Sequence, residues 1–246
     1  HSITEGRKIA VNKTISIFKK ELKGFFTSPL AYVVGAVILA LGGYFFSITL
    51  FVNRIADLTD VFMNLAVILI FAAPALTMRL LAGEEQEGTM EFLLTSPITT
   101  PQLILGKYLA ALFYFLSVTV LTFVYPGILL AISTPDKGVI LSTYIGFFLL
   151  VAAYLAIGVL CSSLTGSQVI ASISSFGVLL LLWIFSWLSG NISGPLGSFV
   201  KALSISEHYG DFLRGIIDTT HIVYFISIII VSLILSMLGV SKRAWS

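Results

Sequence analysis

Ser162-Ser163-Leu164-Thr165-Gly166-Ser167-Gln168 interrupts a run of 63 residues, 138–200, that contains no Asp, Glu, Lys or Arg. A hydrocarbon core of about 30 Å takes roughly 20 helical residues at 1.5 Å each. The run therefore holds two membrane spans, provided this polar hairpin divides them. Four further windows lack charge: 24–53, 61–78, 108–135 and 219–241. Each fits one span, so the count is six transmembrane helices. The spans read about 30–52, 61–81, 103–132, 139–164, 169–188 and 222–240. The apolar runs are far longer than the roughly 10-residue alternating segments of a membrane barrel, which leaves helices.

Composition agrees. Of 246 residues, 57% are hydrophobic and 11% charged, and the mean hydropathy is +1.03. Soluble domains carry about 25% charged residues. A soluble enzyme, a nucleic-acid binder and a disordered chain are excluded, and a net charge of +2 calls for no polyanion. The single cysteine, Cys161, permits no intrachain disulfide and reads as a small apolar filler. Residues 1–11 are read as an extension, disordered or foreign to the native chain, and 12–246 as one membrane domain.

Lys and Arg set the orientation. With the N-terminus inside, the inner segments hold Arg7, Lys8, Lys13, Lys19, Lys20, Lys23, Arg79, Lys107, Lys242 and Arg243. The outer segments hold Arg54, Lys137, Lys201 and Arg214, so ten cations against four place both termini in the cytoplasm. Residues 12–28 read as an amphipathic helix. Ile15, Phe18, Leu22, Phe25 and Phe26 share one side, and Lys13, Lys19, Lys20 and Lys23 another. The helix either lies on the membrane with its lysines toward anionic headgroups or is a short solvated helix beside it. The outer stretch 189–221 is too long for a turn and too apolar for a solvated loop. It reads as one or two short helices dipping into the outer leaflet.

No catalytic constellation is present. The nearest approach to a nucleotide-binding loop, Pro101–Tyr108, has Gly106-Lys107 but neither the first Gly nor the Ser or Thr after Lys. There is no H-E-x-x-H or G-x-S-x-G. The three histidines, His1, His208 and His221, are too few for a zinc site without carboxylates. His208 and His221 read as interfacial packing residues rather than pH sensors or ligands. The span interiors carry no charge, and Arg79 and Lys107, near the inner ends of spans two and three, are expected to snorkel. That lowers the odds of a self-powered carrier.

The informative segment is 84–94. At helical spacing Glu84, Glu87 and Glu91 form one stripe, with Met90, Leu93 and Leu94 on an adjacent face. Acids beside an apolar patch suit docking into a basic-rimmed groove of a protein. They suit equally a solvated loop helix that its acids keep out of the bilayer.

Met78-Arg79, Glu84-Glu85, Gly88-Thr89, Glu91, Leu93-Leu94 and Ser96-Pro97 strongly resemble the matching stretch of ABC-2 type transporter permeases. Lys20-Glu21-Leu22-Lys23 with Phe26 and Ser28-Pro29 resembles their opening. Ser204, Glu207-His208, Asp211-Phe212, Arg214-Gly215 and Ile217-Asp218 look like the run before their last span, nearest the gliding-motility (GldF-like) type. The resemblance implies an all-α permease of the ABC-2, type V exporter-like class. It implies six spans, an N-terminal elbow helix with Lys19, Lys20, Lys23, Phe25 and Phe26 at the interface, and short re-entrant helices before span six. It implies a cytoplasmic coupling helix between spans two and three. Glu84, Glu85, Glu87, Gly88, Thr89 and Glu91 would face a separate cytoplasmic ABC ATPase, and Leu93, Leu94 and Pro97 would close that helix. ATP and magnesium would sit on the ATPase, and this chain would carry no cofactor, no metal and no catalytic residue.

The other implied partners are a second permease copy or paralogue and the lipid bilayer, with no nucleic acid. The place is a prokaryotic inner membrane and the direction export. Glu207, His208, Asp211, Arg214 and Asp218 would pair at an outer gate. The plainer alternative has short helices meeting water there and Asp218 capping the last helix. A stand-alone channel or secondary carrier, and a membrane anchor relaying ATPase work to an outside machine, are the alternative functions.

Overall fold

A computed structural model describes residues 2–52, 57–89, 98–191 and 194–243, and the described chain contains helices and no strands. Among the described residues eleven helices follow in order. They are α1 (Ser2–Thr27), α2 (Pro29–Ser47), α3 (Thr59–Thr77), the three-residue α4 (Glu84–Gln86), α5 (Thr100–Leu121) and α6 (Val124–Ile132). Then come α7 (Lys137–Leu164), α8 (Gln168–Asn191), α9 (Pro195–Leu203), α10 (Ile205–Leu213) and α11 (Thr219–Arg243). Single π-helical turns extend α2 over Ile48–Val52 and follow α3 over Arg79–Gly83.

Among the described residues six stretches are long and apolar enough to cross a membrane: Pro29–Val52, Thr59–Gln86, Thr100–Ile132, Lys137–Leu164, Gln168–Ser186 and Thr219–Ser241. The boundaries follow local chemistry. Thr99 opens α5 in a reciprocal capping box with Gln102, and Pro101 stands in the first turn, where its missing N–H is harmless. The third span breaks between α5 and α6 because Pro126 has no N–H to offer the Thr122 carbonyl. That carbonyl accepts instead from the Tyr125 backbone N–H and the Tyr144 hydroxyl, each at 2.9 Å.

Span four, α7, forms the core. Its inner residues, including Leu150, Ala153, Tyr154, Leu155 and Ala156, are fully buried. Spans three, two and six pack around it, and span five covers one flank with an exposed apolar face that includes Val169, Ile173 and Leu181. Small residues let backbones approach. A Cβ at Gly158 of α7 would lie 2.1 Å from Thr77 Oγ1 of α3, and one at Gly146 would lie 2.4 Å from Phe212 Cβ of α10. Ala152 and Ala156 of α7 and Ala171 and Ser175 of α8 are buried as well.

The first helix differs from its expected extent. It runs unbroken from Ser2, through the stretch read as an extension, to Thr27. It packs along α5 rather than standing apart. Ile17 meets Gly106, Phe18 meets Phe113 edge-on, and Phe25 is only 8% exposed, stacked on Tyr114 with ring centroids 5.5 Å apart. Phe25 therefore faces protein and not lipid, whereas Lys19, Lys20, Lys23 and Phe26 stay exposed.

Candidate coupling site

The end of the bundle that carries α1 gathers most of the acidic segment. After α3 the chain makes the π-helical turn Arg79–Gly83, whose wider winding leaves backbone N–H groups without ordinary helical acceptors. Ser162 of α7 takes two of them. Its Oγ accepts from Leu81 N at 3.2 Å and Ala82 N at 3.0 Å, and donates to Met78 O at 3.2 Å. One hydroxyl thus ties the end of span two to the end of span four.

The next residues fold into α4 and stop. Thr89 N donates to Glu84 O at 2.9 Å and Gly88 N to Glu85 O at 3.1 Å, the bond pair of a Schellman cap. Gly88 takes φ +69°, the left-handed region that a Cβ disfavours. The Gly88-Thr89 pair is therefore a helix terminator. The regular helix that would align Glu84, Glu87 and Glu91 in one stripe is not formed across 87–89. Glu91, Leu93, Leu94 and Pro97, together with Met90, lie outside the described residues.

Glu84 turns inward. Its Oε1 lies 2.8 Å from Lys107 Nζ, and so does Oε1 of Glu21 from α1. Lys107 is 1% exposed. The expectation that it snorkels is corrected: it sits eight residues into α5, under α1, and the two carboxylates take the place of water. Two carboxyl groups thus share one buried ammonium. The second carboxylate oxygen of Glu84 is buried without a hydrogen-bond partner. Breaking a buried pair of this kind typically costs about 3–5 kcal/mol, because the remaining charge is stranded. Through Lys107 the acidic segment is fastened to span three and to α1 together.

Glu85 lies over the hairpin between spans four and five, where a Cβ at Gly166 would come 3.1 Å from its carboxyl group, and Gly83 abuts the Gln168 side-chain amide. Gln86, Glu87, Gly88 and Thr89 are exposed beyond this platform. Of the expected docking residues, then, Glu87, Gly88 and Thr89 face outward, Glu84 anchors and Glu85 packs at the edge. Sequence reasoning missed Lys107, Glu21, Ser162 and Gln168 as members of the site. No spacing rule links positions 86 residues apart, although Glu21 already stood in the quoted opening motif.

At the opposite end, α10 buries Ile205, Tyr209 and Phe212 against the bundle, and the Tyr209 hydroxyl donates to Phe62 O at 3.2 Å. The expected outer residues are partly assembled. Asp211 Oδ2 lies 2.9 Å from His221 Nε2, and His221 Nδ1 lies 2.7 Å from His208 Nδ1. Glu207–Lys201 at 3.9 Å and Asp211–Arg214 at 3.7 Å are loose, exposed pairs worth little. Asp218 stands apart as the cap of α11, accepting from Thr220 N at 2.8 Å. That backbone bond, followed by the Thr220 hydroxyl, holds its carboxyl below the usual range. Gly215, at φ +84°, closes α10 with a second Schellman cap. Among the described residues no group of three or more His, Cys, Asp or Glu could hold a metal ion.

These features define a multi-pass helical membrane protein whose short polar segments are locked to its spans by buried polar contacts. The chain belongs to the ABC-2 family of transporter proteins, whose family model, described as ABC-2 family transporter protein, matches residues 3–240. No curated protein matches the chain. Members of this family are membrane transport components that generally work with an ATP-binding subunit.

Proposed function

We propose that the chain is the permease subunit of an ATP-driven transporter and that residues 84–97 receive the motion of a separate cytoplasmic ATPase. One observation carries this reading. The outward-facing Glu87-Gly88-Thr89 turn is continuous with Glu84, which grips buried Lys107 of span three and, through it, Glu21 of α1. A push on the turn is thus delivered to two helices and not absorbed by a loose loop. Ser162 and the Gly166 hairpin extend the contact to span four.

On this reading α1 is an elbow helix at the cytoplasmic membrane surface, with Lys19, Lys20 and Lys23 toward anionic headgroups. Both termini are cytoplasmic in a prokaryotic inner membrane, and α9 and α10 re-enter the outer leaflet as a gate. Two permease copies pair about a two-fold axis, the default symmetry of a membrane dimer. The ATPase holds ATP and magnesium. Its closure on ATP shifts the acidic segments, the rigid spans rock about the dimer axis, and cargo is exported. The physical requirement is that the segment bind the closed and open ATPase with different free energies.

The double substitution Glu87→Lys with Glu91→Lys tests the role. Glu87 is exposed and takes no part in the Lys107 cluster, so the permease should fold and insert as before, while its stimulation of the ATPase falls at least about tenfold, the equivalent of roughly 1.4 kcal/mol of lost differential contact. Undiminished stimulation by a folded double variant overturns the assignment.

A further inference from the structure

The two histidines near the α9–α10 corner are not merely packed. His208 Nε2 lies 3.2 Å from the carbonyl oxygen of Ala202, and His208 Nδ1 lies 2.7 Å from His221 Nδ1. His221 Nε2 lies 2.9 Å from Asp211 Oδ2. The His208 ring stacks on Tyr224 at 3.9 Å, and the Tyr224 hydroxyl donates to Leu203 O at 2.7 Å. Helices α9, α10 and α11 meet in this chain of contacts.

Protons can be counted along it. A carbonyl oxygen and a carboxylate only accept, so both outer nitrogens, His208 Nε2 and His221 Nε2, carry hydrogen. The inner Nδ1···Nδ1 contact at 2.7 Å is a hydrogen bond only if it contains one proton. With none, two lone pairs face each other. With two, two N–H groups collide and two cations adjoin. The arrangement fits three protons on four nitrogens, that is, one imidazole and one imidazolium. The contact with Asp211 places the imidazolium on His221, which then donates from both nitrogens. His208 is the neutral ring, accepting at Nδ1.

We propose that His208 and His221 form a binding site for a single shared proton, and that this proton fastens α9 and α10 to the start of span six. Gain or loss of one proton releases the same contact. Charged and titratable groups face the pair from each neighbouring element. Asp211 and Glu207 come from α10 and Arg214 from its end. Lys201 comes from α9, and Asp218 and Tyr224 from the start of α11. Tyr154 of α7 is buried, and Asp60 stands in the first turn of α3 at the same end of the bundle. The described part of α8 brings no titratable side chain.

Burial is the first cause that holds His208 below the usual imidazole range, against the pull of the Ala202 carbonyl, with the His221 charge adding to it. The sign follows. An unfolded histidine takes its proton near pH 6.5, whereas folded His208 takes it only at lower pH. Its contribution is therefore present above about pH 6.5 and is lost as pH falls below that value toward the lowered one. The proposal does not depend on which partner drives the chain.

Nitrogen-15 NMR of histidine-labelled full-length protein in lipid nanodiscs tests it, across the imidazole range of about pH 5 to 8. His208 and His221 should titrate together in two linked steps, with one N–H···N bond visible between them. His221→Asn should then leave His208 with one uncoupled step, still below the usual imidazole range because its burial remains. In the same samples, hydrogen exchange of residues 202–211, corrected for intrinsic rate, should be slowest at intermediate pH. Toward acid it should speed up about tenfold, the scale of one charge-assisted hydrogen bond. The wild-type titration needs no substitution to be read. Two independent single-step titrations, with His208 unmoved by His221→Asn, overturn the proposal.

Discussion

Lys107→Met should lower the stability of the permease by about 3–5 kcal/mol and abolish its stimulation of the ATPase. Methionine keeps the length of the side chain and removes its charge. Glu21 and Glu84, each 2.8 Å from the lost ammonium, are left facing each other at less than one-fifth exposure. Neither can stay ionised cheaply there. A thermal unfolding series in detergent micelles should show the loss directly. The combined substitution Glu21→Gln, Lys107→Met and Glu84→Gln should recover most of the stability, because a neutral cluster strands no charge. It should not recover coupling, since the charged grip between the acidic segment and α5 is still missing. Equal stability of Lys107→Met and wild type would show that the pair is not closed in the working protein.

Gly158→Val should be at least as damaging, and for a different reason. The first added carbon would lie 2.1 Å from Thr77 Oγ1 and 2.8 Å from its Cβ, across the contact between spans four and two. Thr77 cannot swing aside freely. It is β-branched and its hydroxyl already donates to Ala73 O at 2.8 Å within its own helix. Overpacking of this kind costs typically 1–3 kcal/mol, and here two rigid backbones must part, so roughly 3 kcal/mol or more is expected. Folded yield after extraction is the readout. Thr77→Ala removes Oγ1, the nearest atom, and Cγ2 and should restore part of the yield of Gly158→Ala, with a non-additive coupling between the sites. Independent effects of the two substitutions would place the helices farther apart than described.

The six spans were legible because charge in hydrocarbon is costly, and its absence over long windows is a one-dimensional signal. The observed stretches Lys137–Leu164 and Gln168–Ser186 fall on either side of the polar hairpin at 162–168. The break near Pro126 and the cap at Gly88 were also present in the sequence as local rules about proline and left-handed glycine. The Gly88 rule lost to helical periodicity when Glu84, Glu87 and Glu91 were placed on one stripe. Lys107 was legible as a cation near a helix end but not as a buried one. Whether a lysine snorkels or is clamped depends on what lies over it, and that is α1, 86 residues away from Lys107 at Glu21. The histidine pair was missed for the same reason. His208 and His221 stand 13 residues apart in sequence, and only the turn closed by Gly215 brings them to 2.7 Å.

The proposal that this ABC-2 family chain transmits the work of a separate ATPase is tested most directly by purifying it gently from its native membrane and assaying what elutes with it. A stoichiometric companion that carries a nucleotide-binding loop and hydrolyses ATP is the predicted result, with its association lost on Glu87→Lys and Glu91→Lys in an otherwise folded permease. A chain that elutes alone, or only with copies of itself, and moves solute in liposomes without ATP would contradict the account and make it a channel or secondary carrier.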